Sequence, residues 1–131
     1  MKKILTYLIC AAALLSAIFV FACSVSEKEV FEQIMPIEAK KIMDSGEEYI
    51  VLDVREQSEF DEGHIEGAIL IPYTEIEKKA EQMMPDKNAQ ILVYCRSGRR
   101  SKLASESLVK LGYTNVKEFG GIIDWPYEVV K

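Results

Sequence analysis

Histidine and tryptophan each occur once in this chain of 131 residues, and cysteine only three times. With His64 as the only histidine and one cysteine, Cys95, beyond residue 23, there are too few soft ligands for a structural zinc site, so no metal is expected. A single domain cysteine also excludes an internal disulfide there, which leaves a thiol that is either reactive or intermolecular. No internal repeat or low-complexity segment is present, and the length suits one domain. Positive charge is in deficit as well. Residues 23–131 hold 14 basic and 21 acidic side chains, a formal charge of −7. An acidic domain is a poor general binder of nucleic acid or of anionic membrane, so no nucleic-acid partner is expected. The cluster of arginines at Arg96, Arg99 and Arg100 is therefore a local exception, and local exceptions suggest sites.

Charge is absent altogether from Ile4 to Ala22, "ILTYLICAAALLSAIFVFA", which follows Lys2 and Lys3. Such a run is an export signal or a membrane span. Cys23 closes it, with Ala22 before and a polar stretch after, and this resembles the lipobox of bacterial lipoproteins, in which the cysteine is cleaved and lipidated. Val20 and Phe21 depart from the leucine and small residue of that pattern. Three readings stand: lipidation at Cys23, ordinary cleavage near Ala22 or Ser24, or an uncleaved anchor. Each carries the remainder out of the cytoplasm, as a cell-membrane lipoprotein or a periplasmic protein. The expected division is residues 1–23 as leader or anchor, 24–33 as linker and 34–131 as the domain.

Within the domain, "FEQI" reads as a brief extended piece and Pro36 as the first turn of a helix with Ile37, Ile42 and Met43 inward, ended by Gly46. Tyr49–Val54, "AILIP" and "AQILVYC" are short apolar runs suited to buried parallel strands. Thr74 is the expected N-cap of a helix with an apolar stripe of Ile76, Ala80, Met83 and Met84. "SKLASESLVKLG" is expected as a helix with Leu103, Ala104, Leu108 and Leu111 on one side, stopped at Gly112, and "TNVKEF" as a strand. Strands alternating with helices predict an α/β fold, a parallel sheet with helices on both faces. Ligands in such folds bind beyond the carboxyl ends of strands, which is where Cys95 falls.

The stretch "VYCRSGRRS" sets that cysteine before a glycine and three arginines. An ordinary cysteine has a pKa of about 8.5, so only about 3% is thiolate at neutral pH. A helix N-terminus, a glycine-bearing turn whose N–H groups aim inward, and the arginines all favour the anion. A lowering of about two units would ionise most of the thiol at pH 7. The spacing is C-x4-R-S. Cysteine-dependent phosphatases need C-x5-R around a tetrahedral phosphate, and Ser101 stands where that arginine would be, so this tighter cradle suits a thiolate carrying one extra sulfur.

"LDVREQSEFDEGHIEGAILIP", "VYCRSGRRSKLASESLVKLGY" and "GGIIDW" together resemble the successive signatures of the rhodanese domain, the sulfurtransferase family, across Leu52–Trp125. The resemblance implies a rhodanese-like five-stranded parallel sheet sandwiched by helices. It implies Cys95 as the catalytic residue that becomes a persulfide, and Arg96, Ser97, Gly98, Arg99 and Arg100 as the loop whose N–H groups hold the outer sulfur, with Ser101 opening the supporting helix. The implied partners are a small anionic sulfur donor, thiosulfate or polysulfide, and a cyanide or thiol acceptor; no cofactor is implied. Arg96 and Arg99 have the better reach to substrate. His64, the Asp53–Arg55–Glu59 group and Trp125 are expected in structural roles. The rival readings are a phosphatase or arsenate reductase on the same fold, and a noncatalytic docking or sulfide-sensing module.

Overall fold

The computed structural model describes residues 30–131; the leader, Cys23 and most of the linker lie outside the described residues. Five parallel strands are β1 (Glu32–Gln33), β2 (Ile50–Asp53), β3 (Ile69–Leu70), β4 (Ile91–Cys95) and β5 (Val116–Gly121). Their order across the sheet is β1-β5-β4-β2-β3. The helices are α1 (Pro36–Asp44), α2 (Gln57–Glu62), α3 (Ile76–Met83) and α4 (Arg99–Lys110), with 3₁₀ turns at Tyr73–Glu75 and Ile122–Asp124. Among the described residues no helix is long and apolar enough to cross a membrane.

Strand β4 is buried at every position because it lies mid-sheet with both faces covered, which is why its sequence is a continuous apolar run rather than an alternating one. Its residues divide between two core clusters. Ile91, Val93 and Cys95 join Leu52, Val54, Val116 and the inner faces of α3 and α4. Leu92 and Tyr94 join Val51, Phe119, Trp125 and Ala39 of α1 on the other face.

Several expectations are corrected by this packing. Glu32 and Gln33 pair with Lys117 and Glu118, so the sheet takes in two residues that the expected linker had claimed. β3 is a half-buried edge strand of two residues, because only β2 pairs with it. Thr74 lies inside the 3₁₀ turn and α3 begins at Ile76 after Glu75, with no side-chain cap; Pro72 starts the tighter turn first. Ile37, Met83 and Leu103 are exposed, while Ala39 and Ser105 are buried, and Ile76, Ala80, Met84, Ala104 and Leu108 are buried as expected. In α4 the inward stripe runs through Ser101, Ala104, Ser105, Leu108 and Val109. That helix also starts two residues earlier than expected, at Arg99, so Ser101 sits within its first turn.

A bulge in β5 positions the site. Val93 pairs with Glu118, but Cys95 pairs with Gly121, so β5 spends one extra residue on the same span of β4. Glu118 and Gly121 are thereby brought against the turn that follows Cys95.

Candidate active site

Cys95 is the last residue of β4 and only 1% exposed. The chain must turn immediately into α4, and Gly98 makes this possible. Its φ of +107° lies in the left-handed region, and it serves as the N-cap of α4. The turn folds back over the sulfur, and Gly98 N–H donates to Cys95 Sγ at 3.0 Å. The N–H groups of Ser97 and Ser101 are directed at the same atom, and the Ser101 hydroxyl lies 3.3 Å from it. Burial pushes the Cys95 thiol up, but the hydrogen bonds from the Ser101 hydroxyl and these three N–H groups outweigh it and hold the thiol below its ordinary value. The site therefore has the means to favour a sulfur anion in a place where burial alone would forbid one.

Close approach of β5 fixes the turn from below. A Cβ on Gly121 would lie 1.9 Å from the Arg96 carbonyl oxygen and 2.4 Å from Ser97 N, so no side chain fits there. Ile123 N–H also donates to the Arg96 carbonyl, at 3.2 Å.

The three arginines separate. Arg100 forms a two-pronged pair with Glu59 of α2, at 2.7 and 2.8 Å, and is half-buried. Its guanidinium holds the Glu59 carboxyl down to about 2. Arg96 and Arg99 are exposed, and among the described residues neither forms an ion pair; Arg99 leans toward the Tyr73 ring with 6.0 Å to the centroid. Arg100 is thus a brace between α4 and α2, while the other two present charge to solvent.

Asp53 and Arg55 pair as expected, but Glu59 belongs to the Arg100 brace instead. Arg55 donates to Asp53 at 2.7 and 3.0 Å and to the Gly63 carbonyl at 2.7 Å, and the Tyr94 hydroxyl donates to Asp53 Oδ2 at 2.6 Å. Burial beside the Asp53 carboxylate pushes the Tyr94 phenol well up. His64 stacks on Phe60 at 3.7 Å and its Nδ1 lies 2.8 Å from the Phe60 carbonyl, so it holds a turn. Trp125 is 9% exposed and packs on Phe119 and Tyr127. Among the described residues no three or more His, Cys, Asp and Glu side chains gather to hold a metal.

Sequence reasoning missed Glu118. It is 3% exposed, and its Oε1 accepts from Ser101 Oγ at 2.6 Å and from Gly120 N–H at 2.8 Å. The signal was present: an acid on the same strand face as Val116, where a buried position calls for an apolar side chain.

The rhodanese-like domain profile matches residues 35–126. Thiosulfate sulfurtransferase PspE of Escherichia coli is 40% identical over 80 residues, covering 61% of this chain and 77% of that protein. YrkF of Bacillus subtilis is 39% identical over 87 residues, covering 66% of this chain and 46% of the relative, so the chain spans less than half of that protein. Among solved structures, an E. coli rhodanese with anions superposes with a TM-score of 0.60 at 38% identity, over 63% of this chain and 98% of that one. A parallel five-stranded sheet, a cysteine closing its central strand, an N–H-lined turn above the sulfur and these likenesses agree: the chain belongs to the rhodanese-like domain family.

Proposed function

We propose that this sulfurtransferase carries sulfane sulfur as a persulfide on Cys95, taking it from thiosulfate or a polysulfide and giving it to cyanide or a thiol. The observation that carries the reading is the Gly98 N–H held 3.0 Å from a buried Cys95 Sγ at the carboxyl end of β4. The thiolate attacks the outer sulfur of thiosulfate. A new S–S bond forms, the old one breaks, and sulfite leaves with its electron pair. The N–H groups of the Arg96–Ser101 turn then hold the charged outer sulfur until an acceptor attacks it and restores the thiolate. This is covalent catalysis in two half-reactions, for which ping-pong kinetics are expected. Arg96 and Arg99 attract the dianion and offset charge on departing sulfite, whereas Arg100 acts through its brace on Glu59.

Intact-mass measurement before and after thiosulfate, with Cys95→Ser alongside, tests this. A gain of one sulfur, about 32 Da, on the unaltered chain alone and removed by cyanide supports the persulfide. No gain with either thiosulfate or polysulfide overturns it and favours a binding module.

The same proposal places the domain outside the cytoplasm, tethered through lipid on Cys23. Its support is the uncharged run Ile4–Ala22 ending at that cysteine. Mass spectrometry of the mature N-terminus decides it, a diacylglyceryl group on Cys23 being the expected result and a free amine at Ser24 or an intact Met1 the contrary one.

A further inference from the structure

Arg100 stands one residue before Ser101 in the first turn of α4, beside the residue whose hydroxyl lies 3.3 Å from Cys95 Sγ. A guanidinium so placed is a natural clamp for an oxyanion, because its planar fork matches two oxygens of a sulfonate or a phosphate as well as it matches a carboxylate. Here the fork is taken. Nη1 donates to Glu59 Oε2 at 2.7 Å and Nη2 to Glu59 Oε1 at 2.8 Å, so both terminal nitrogens and both carboxylate oxygens are spent on one another. The acid is itself held in place, since Glu59 Oε2 also accepts from Glu56 N–H at 3.0 Å in the first turn of α2. Arg100 is held above its ordinary value first by its bonds to Glu59 and, against burial, by the charges of Glu59, of the Cys95 sulfur and of Glu56. The guanidinium thus feels the sulfur while its hydrogen bonds go elsewhere.

Resting on the reading of Cys95 as the nucleophile, we propose that Glu59 is a positioning residue that sets specificity by withholding the Arg100 fork from oxyanions, so that Arg100 lends its charge to the sulfur without clamping substrate or product. A two-pronged grip on the sulfonate end of thiosulfate would persist on sulfite, which keeps the same three oxygens. Binding donor and leaving group equally well slows release and does not lower the barrier. Sulfate and phosphate, which carry no sulfane sulfur, would take the same grip and block the turn. An acid already seated on the fork discriminates against all of them, because an oxyanion enters only by displacing Glu59 and leaving that half-buried carboxylate without its cation. No other arginine stands in for Arg100: Arg55 is committed to Asp53 and the Gly63 carbonyl, while Arg96 and Arg99 are exposed and hydrated. Substrate is left to the N–H groups of the turn and to these two looser charges.

The test is protection of Cys95 from iodoacetamide by inorganic sulfate, an inert tetrahedral dianion, read by peptide mass spectrometry of the full chain at constant ionic strength. Glu59→Gln keeps the size and one acceptor oxygen of the side chain but removes the charge, so the fork opens to the anion. The sulfate concentration for half protection is expected to fall about tenfold. Adding Arg100→Lys, which keeps a cation but has no fork, is expected to return it to within about threefold of the unaltered chain. A brace with no further role predicts no such gain, because a loosened turn binds anions no better. Absence of protection in Glu59→Gln, a midpoint unchanged or raised, or a fall that survives Arg100→Lys overturns the proposal and leaves Cys95 as nucleophile; no alkylation of Cys95 in the unaltered chain at any pH overturns the nucleophile reading as well. Should Glu59→Gln fail to fold, Arg100→Lys alone answers the same question. With the fork already withheld, its midpoint should stay within about threefold of the unaltered chain. A larger rise means that Arg100 grips the anion in spite of Glu59, and overturns the proposal.

Discussion

Burial and hydrogen bonding pull the Cys95 thiol in opposite directions, and the hydrogen bonds win. In the proposed function solvent-facing charge has a different task, which is to gather substrate. Arg96→Ala and Arg99→Ala are each expected to raise KM for thiosulfate by about tenfold with a smaller loss in kcat, and the difference from the unaltered enzyme should shrink as salt rises. Steady-state kinetics at two ionic strengths read both effects. Glu59 behaves otherwise. Its carboxyl is held at about 2 by Arg100, so the folded value is depressed. The pair contributes fully above the ordinary carboxylate range, and that stability is lost as pH falls toward 2. Because both side chains are partly exposed, 18% for Arg100 and 26% for Glu59, the contribution is discounted to about 1 kcal/mol. Glu59→Gln should lose that amount at pH 7 in a denaturant titration and show a flatter decline in acid than the unaltered chain.

At the scale of elements, the turn from β4 into α4 depends on backbone rather than on side chains. Gly98→Ala forces a left-handed residue with a Cβ and is expected to cost about 1–2 kcal/mol. Gly121→Ala is worse for function than for stability. Its φ is ordinary, but the added carbon lands on the Arg96 carbonyl, so the turn must move. Displacement by about an ångström is expected to slow sulfur loading about a hundredfold, with unfolding shifted by about 1–3 kcal/mol. Stopped-flow loading and thermal melts separate the two. Strands β2 and β4 and the position of Cys95 were legible in the sequence because buried parallel strands write themselves as apolar runs. The bulge was not, since nothing in "VKEFGG" says which partner residue is skipped; only the paired glycines hinted at close approach. Helix faces were misjudged at Ile37, Met83 and Leu103 for a common reason: each is a large apolar residue beside the true stripe, and small residues such as Ala39 and Ser105 occupy the tight places against the sheet. The sequence set Arg96 and Arg99 apart by reach, but the partner that holds Arg100 is seen only once Glu59 is placed.

Across the whole molecule, Asp53 is the knot. Its carboxylate, fully buried, receives Arg55 and the Tyr94 hydroxyl, Tyr94 in turn accepts from Ile65 N–H, and Arg55 reaches the Gly63 carbonyl. This one network joins β2, β4 and the loop between α2 and β3. Asp53→Ala strands a buried guanidinium and is expected to cost about 3–5 kcal/mol, measured as a fall in Tm, with the mass gain at Cys95 surviving at low temperature where the fold persists. The pairing of Cys95 with Gly121 has another consequence, which concerns time. Thiol, turn and arginines all leave the ribosome before the strand that braces them, because Glu118 and Gly121 follow an entire helix and lie in the last strand of the sheet. Until β5 docks, the cysteine has no floor beneath its turn. It is then an ordinary thiol on an unfinished chain, and its reactivity begins only when folding ends.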